Sequence, residues 1–305
     1  MSSKGPFSHA NSEAGFALFA VLLISMIIMV ISGSLVYSVY QRVKLGGEMR
    51  ERSMAFLKAR SAISQVIYDV LTSTFTPTGL IVHEQDGTLR EMNLYGDPIT
   101  LSEGAEAELR DVSGMVSPLF DPEYIRMLLE YVSKDSKLGN SFVDTLLDWQ
   151  DADDLKHLNG AESYEYRTAG YPYIPRNYYI QVPEEIMLLK GFDRHIFDKM
   201  KDDLAYWGSG TINFLTMSER LLRAILRDDS LVDRIIQMRK EGALTGKTFR
   251  DVTGIPTSER YVFAPSGWIR MKVTAKWGKA VDTIQAVIVK RETERRPFMV
   301  TQWHN

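Results

Sequence analysis

The sequence contains no cysteine in its 305 residues. That excludes disulfides, thiolate metal sites and a cysteine nucleophile, and it is compatible with an extracytoplasmic location without establishing one. Histidine is scarce: His9, His83, His157, His195 and His304 are scattered, with no HExxH pair and no GxSxG turn. No pair of carboxylates is placed across a cleft either, so the chain reads as a non-enzyme. An excess of charge is also missing. Lys plus Arg number 36 against 39 Asp plus Glu, which leaves no nucleic-acid footprint.

Against this even background one run stands out. Phe16 to Gln41 carries no charge at all, follows Gly15, and is preceded by a short polar leader. About 20 apolar residues in a helix cross the roughly 30 Å hydrocarbon core, so the run reads as a membrane span. It is longer than a secretory signal core. Beyond Arg42 it continues at helical spacing through Met49, Phe56, Ala59, Ile63, Val66 and Val70. One helix from Phe16 to Leu71 would be about 84 Å long, with Gly46 and Gly47 as the expected bend. Lys4 precedes the span while Arg42, Lys44, Arg50 and Arg52 follow it, so a positive-inside count alone places the bulk in the cytoplasm.

After Leu71 a loop composition gives way to short segments of β character: Gly79 to Glu84, Thr88 to Leu94, Asp97 to Leu101 and Ala105 to Val112. Asp86-Gly87 between the first two is a hairpin signal. From Asp121 to about Gly254 apolar residues recur at three and four, predicting an all-α block. Strands return at Tyr261 to Ala264, Trp268 to Trp277 and Val281 to Arg291, and 292–305 reads as a solvated tail. The expected fold class is α+β: a long amino-terminal helix and an antiparallel sheet (72–120 and 256–291) interrupted by an inserted helical domain (121–255).

An acidic cluster is the best candidate site. Counting from Asp151, Asp153 stands third, His157 seventh, where an EF-hand uses a backbone carbonyl, Asn159 ninth and Glu162 twelfth. Leu155 at the fifth place and Lys156 at the sixth, in place of Gly, rule out a true EF-hand. Asp151, Asp153, Asp154, Asn159, Glu162 and Glu165, with Asp148 nearby, still suit a hard cation such as calcium; a solvated acidic loop with Asp148 capping a helix is the plainer reading. Gly242 to Thr248 imitates a phosphate loop, but has one residue too few between its glycines and follows a helix, so it reads as a turn plus loop. The helical pairs around Gly191 and Gly254 resemble helix-hairpin-helix units. Asp193, Asp228 and Asp229 beside them would repel a polyanion, so packing units are expected rather than a DNA site.

Leader, Gly15, Phe16, apolar helix and amphipathic continuation together resemble the type IV pilins and pseudopilins. DTLLDWQDADD (Asp144 to Asp154), NGAES (Asn159 to Ser163), VPEEIMLLKGF (Val182 to Phe192) and INFLTMSERLLRAIL (Ile212 to Leu226) are similar to segments of the type II secretion minor pseudopilin K family. In the last of these Leu215, Met217 and Ser218 depart from the family run, and Gly114 to Leu119 keeps another family segment only weakly.

The resemblance implies cleavage by prepilin peptidase after Gly15, methylation of Phe16, and a periplasmic domain on a single-pass inner-membrane anchor, opposite to the charge count. It implies a place at the pseudopilus tip beside other minor pseudopilins of the I and J type, and calcium in the acidic region. Ala20 replaces the Glu usual at the fifth mature position, and the K subunit is the member that lacks it; an uncompensated carboxylate in lipid is costly. The expected subunit-packing surface is Ala20, Met49, Phe56, Ala59, Ile63, Val66 and Val70; the plainer alternative is that the stripe packs onto the chain's own sheet, and both can hold for different residues. The rival reading is an anchored DNA-uptake or adhesive pilus-tip protein built on the helical hairpins.

Overall fold

The computed structural model describes residues 10–84, 86–101, 104–206, 208, 210–291 and 297–304, with side chains from Gly15 onward. Residues 1–9 of the expected leader therefore lie outside the described residues. Helix α1 runs over Ala10–Thr72 and stays helical through Gly46 and Gly47, where the sequence suggests a bend. Its first half touches nothing: the apolar window is wholly unburied, and the helix is long and apolar enough to cross a membrane.

Its second half docks on the chain's own sheet. Ala55, Ala59, Ile63, Val66 and Val70, spaced by four, four, three and four, are each completely buried. This is the stripe that a helix of 3.6 residues per turn turns to one side. Alanine at two of these places lets the helix axis approach the sheet closely. Glu51 Oε2 also accepts the backbone N–H of Lys279 at 3.0 Å, tying the helix to the turn at the far end of the sheet.

Strands β1 (Thr74–Phe75), β2 (Gly79–His83) and β3 (Leu89–Asn93) form one antiparallel sheet. The β2–β3 hairpin turns at Asp86-Gly87 as expected: Gly87 has φ +84° and Asp86 Oδ1 accepts the Thr88 N–H at 2.9 Å. Strands β4 (Ile99–Thr100), β5 (Ala105–Asp111), β6 (Trp268–Trp277), β7 (Ala280–Lys290) and β8 (Phe298–His304) form a second antiparallel sheet in that order. Alternate residues face α1: Ala105, Ala107 and Leu109 from β5, and Ile269, Met271, Val273 and Ala275 from β6.

β8 corrects the reading of 292–305 as a solvated tail. Residues 298–304 pair with β7 from Lys290↔Phe298 to Gln285↔His304, with a register shift at Val287/Ile288. Phe298, Val300 and Trp303 suit a pleated, half-buried surface, and β8 covers an edge that β7 would otherwise present bare.

Between β5 and β6 the chain builds α2 (Pro122–Ser133), α3 (Ser136–Gln150), α4 (Ser163–Thr168), α5 (Arg194–Met200), α6 (Glu219–Leu226), α7 (Asp229–Lys240) and α8 (Gly246–Thr253). These close on a core of their own, containing Ile125, Leu128, Leu146, Trp149, Tyr166, Phe214, Leu221 and Phe249, separate from the core under α1. Tyr261 to Ala264, expected as a strand, makes only an isolated bridge from Tyr261 to Ile212. The Gly242 to Thr248 stretch is turn and loop over 242–245, as expected, and its last three residues open α8, whose amino end Thr245 caps by exchanging hydrogen bonds with Thr248.

The block is clamped to the sheet. Arg110 on β5 and Arg220 on α6 both pair with the buried Asp203, at 2.9 and 2.6 Å, and Ser218 Oγ donates to the same carboxylate at 2.7 Å.

Candidate metal centre and helix surface

The acidic segment follows the carboxyl end of α3. Asp135 caps that helix at its start, accepting from the N–H groups of Lys137 and Leu138, and the helix delivers Asp144 and Asp148 one turn apart on one side. The chain then loops back over that side. Asp144 Oδ2 accepts the backbone N–H and the side-chain Nδ2 of Asn159, at 2.8 and 2.9 Å, and Asp148 Oδ1 accepts the backbone N–H of His157 at 3.0 Å. His157 Nδ1 also contacts Asp148 Oδ1. Gly160 passes so close to Asp148 Oδ2 that a Cβ there would overlap the carboxylate.

Two buried carboxylates are left with unpaired oxygens. Asp148 is fully buried and its Oδ2 has no hydrogen-bond partner; Glu162 is 3% exposed and neither of its oxygens has one. Asp151 Oδ1 is unpaired as well. Burial, then the charges of Asp148, Asp151 and Asp154, push the Glu162 carboxyl up to about 7. Burial and the neighbouring Asp153 and Asp148 raise Asp151 too, whereas the Asp148 hydrogen bond raises His157. Such clustered, unpaired acids ask for a cation.

The structure thus draws together Asp148, Asp151, His157 and Glu162, with Asp154 close enough to act on Glu162. Others of the expected set are turned to different work. Asp153 accepts the N–H of Leu155 at 2.8 Å in an exposed turn. Asn159 serves Asp144, and Glu165 caps α4 by accepting the Glu162 N–H at 3.1 Å while pairing with Lys156, also at 3.1 Å. The twelve-place loop count does not include Asp148, which α3 brings to the cluster three residues before the count begins. The unbroken helical spacing into Asp148-Trp149 is the signal that reveals it.

The helix surface divides in two. Ala59, Ile63, Val66 and Val70, expected to pack on other subunits, are fully buried against the chain's own sheet and cannot meet a partner. Met49 is 61% exposed, and Phe56 and Ala20 are partly exposed. They keep a surface that a second helix can reach.

Residues 107–205, which run from β5 through the acidic cluster to the clamp at Asp203, match the family described as type II secretion system (T2SS), protein K. The similarity to that family extends over 99 of the chain's 305 residues. It covers 97% of a chain in the crystal structure of the GspK-GspI-GspJ complex from the enterotoxigenic Escherichia coli type 2 secretion system, over 84% of its own length, with a TM-score of 0.54 and 15% identity. That likeness is one of fold: a long amino-terminal helix, antiparallel sheets and a helical block. Among curated proteins none matches in sequence. The match of residues 107–205 supports a minor pseudopilin of type II secretion, and α1, the one helix among the described residues that is long and apolar enough to cross a membrane, is consistent with a membrane anchor.

Proposed function

We propose that the protein caps the tip of the type II secretion pseudopilus and nucleates its assembly. Prepilin peptidase releases the leader after Gly15 and leaves Phe16 as the methylated amino terminus. The folded part stands in the periplasm, and the helix before Gln41 packs in the lipid against helices of the I- and J-type minor pseudopilins. The observation that carries this reading is the split of α1 into an unpartnered apolar half and a half sealed onto its own sheet, in a chain that matches the K family over residues 107–205. Ala20 supports the tip position, because a subunit with none above it has no amino terminus for a membrane-embedded Glu to neutralise.

The helical block, which we read as helix-hairpin-helix-like packing units, is the cap. Its acidic pocket holds calcium in a structural role. The unpaired buried oxygens of Asp148, Asp151 and Glu162 are hard donors of the kind calcium selects, and the ion would fasten the loop 151–162 onto α3.

The test is the mass and amino-terminal sequence of protein purified from membranes with and without the peptidase. A chain that starts at methylated Phe16 only when the peptidase is present supports the reading. A chain that starts at Met1 in both contradicts it.

A further inference from the structure

His157 gives the acidic pocket a donor that calcium does not call for. One of its ring nitrogens, a carboxylate oxygen of Asp148 and one of Asp151 lie within 4.8 Å of one another. Ligands bound to one ion at about 2.0–2.4 Å are at most about 4.8 Å apart, so the three separations are compatible with a single dication. The cluster is more than a group of surface acids. Asp148 is fully buried with an unpaired oxygen, and the 3% exposed Glu162 beside it has two.

The ring is also held in place. Asp148 Oδ1 takes the backbone N–H of His157 at 3.0 Å and contacts its ring nitrogen, an arrangement that fixes an imidazole's orientation next to a metal. Calcium takes six to eight oxygens, whereas imidazole together with carboxylate suits zinc and its neighbours in the first transition row.

We propose that the Asp148–Asp151–His157–Glu162 pocket binds a zinc-class dication in competition with calcium, and that His157 is the residue that sets the choice of ion. The inference rests on the pocket being a cation site, as in the reading above, but not on the resident ion being calcium.

The experiment is calorimetric titration of the full chain, stripped of metal and held in detergent micelles, with zinc chloride and with calcium chloride, for the wild type, His157→Gln and Glu162→Gln. Circular dichroism of each metal-free variant confirms that it is folded. The expected result is zinc binding that His157→Gln weakens at least about tenfold, calcium binding that it leaves within about twofold, and loss of both in Glu162→Gln. Zinc binding unchanged by His157→Gln, or absent from the wild type, overturns the inference. In the latter case calcium binding that persists leaves the calcium reading standing. Zinc binding that depends on His157 without any calcium binding has the opposite meaning: the calcium reading fails and the inference holds.

Discussion

Asp111 and Ser266 stand 155 residues apart in the chain and are joined by two hydrogen bonds, from the Ser266 N–H at 3.1 Å and from its Oγ at 2.7 Å, both to Asp111 Oδ1. Asp111 is completely buried. Its other oxygen accepts from Ser113 Oγ at 2.6 Å, Thr216 Oγ1 at 2.9 Å and Asn213 Nδ2 at 3.2 Å. One carboxylate, solvated by neutral donors, therefore gathers the end of β5, the middle of the helical block and the approach to β6. This explains how a long insertion leaves the sheet register between β5 and β6 undisturbed, from Ala105↔Ala275 to Asp111↔Ile269.

Removing that carboxylate strands several buried donors at once. Asp111→Ala is expected to cost at least about 3 kcal/mol, since each unsatisfied buried group costs about 1–3 kcal/mol. A denaturant midpoint measured on the purified protein checks this. A variant as stable as the wild type would show that the two ends of the insertion are held elsewhere.

The two halves of the helical stripe should separate by assay. Ile63→Ala, at a fully buried position, is expected to destabilise the protein by about 2–5 kcal/mol. Met49→Ala, at an exposed position, should leave the melting temperature unchanged within about 1 °C, given that exposed substitutions usually fall within about 0.5 kcal/mol. Its effect should appear instead as weaker recovery of the other minor pseudopilins in a pull-down.

Glu162 predicts a pH dependence whose sign is unusual for an acid. An ordinary glutamate titrates near 4.5, and in the folded, metal-free protein this one is raised to about 7. The unfolded chain therefore loses this proton first as the pH rises, and the group removes stability between about pH 4.5 and pH 7, with no further change above. Glu162→Gln should flatten that part of the profile and raise the melting temperature of the chelated protein at pH 8. Under the calcium proposal, added calcium should raise the melting temperature of the wild type and leave that of this variant unchanged.

Truncation before Pro297 tests the role of β8. It removes the strand paired along β7 from Lys290 to Gln285 and bares a row of backbone donors and acceptors. The truncated protein should elute as soluble aggregate in size-exclusion chromatography, where the full chain does not.

Much of this was legible in the amino-acid order because it is periodic. The uncharged run from Phe16, the alternation in Trp268 to Trp277 and the three-and-four spacing from Tyr124 onward each report one element burying one face. What escaped has no local period. β8 is short, and only its partner β7 decides that Phe298 to His304 is a strand. The splitting of the early strands into two sheets is likewise a matter of tertiary pairing, and α4 is a short helix whose start is held by Glu165 accepting the Glu162 N–H.

The candidate metal site was legible in the sequence as a region, while the hydrogen-bonding of its individual residues was not. A twelve-residue count could not see that Asp148, on the preceding helix, would be the fully buried carboxylate, or that Glu165 would be drawn to Lys156. The stripe on α1 was recognised as one apolar face. Only the folded sheet shows that the face ends as an intramolecular core from Ala55 onward.

The central claim is our proposal that this chain works as one member of a tip assembly. The most direct measurement is co-purification of the tagged, peptidase-processed full chain with the I- and J-type minor pseudopilins expressed from the same cells, followed by the mass of the intact complex. The account predicts a single species containing one copy of each, weakened by Met49→Ala and Phe56→Ala. A chain recovered alone from membranes in which both partners are present would contradict it.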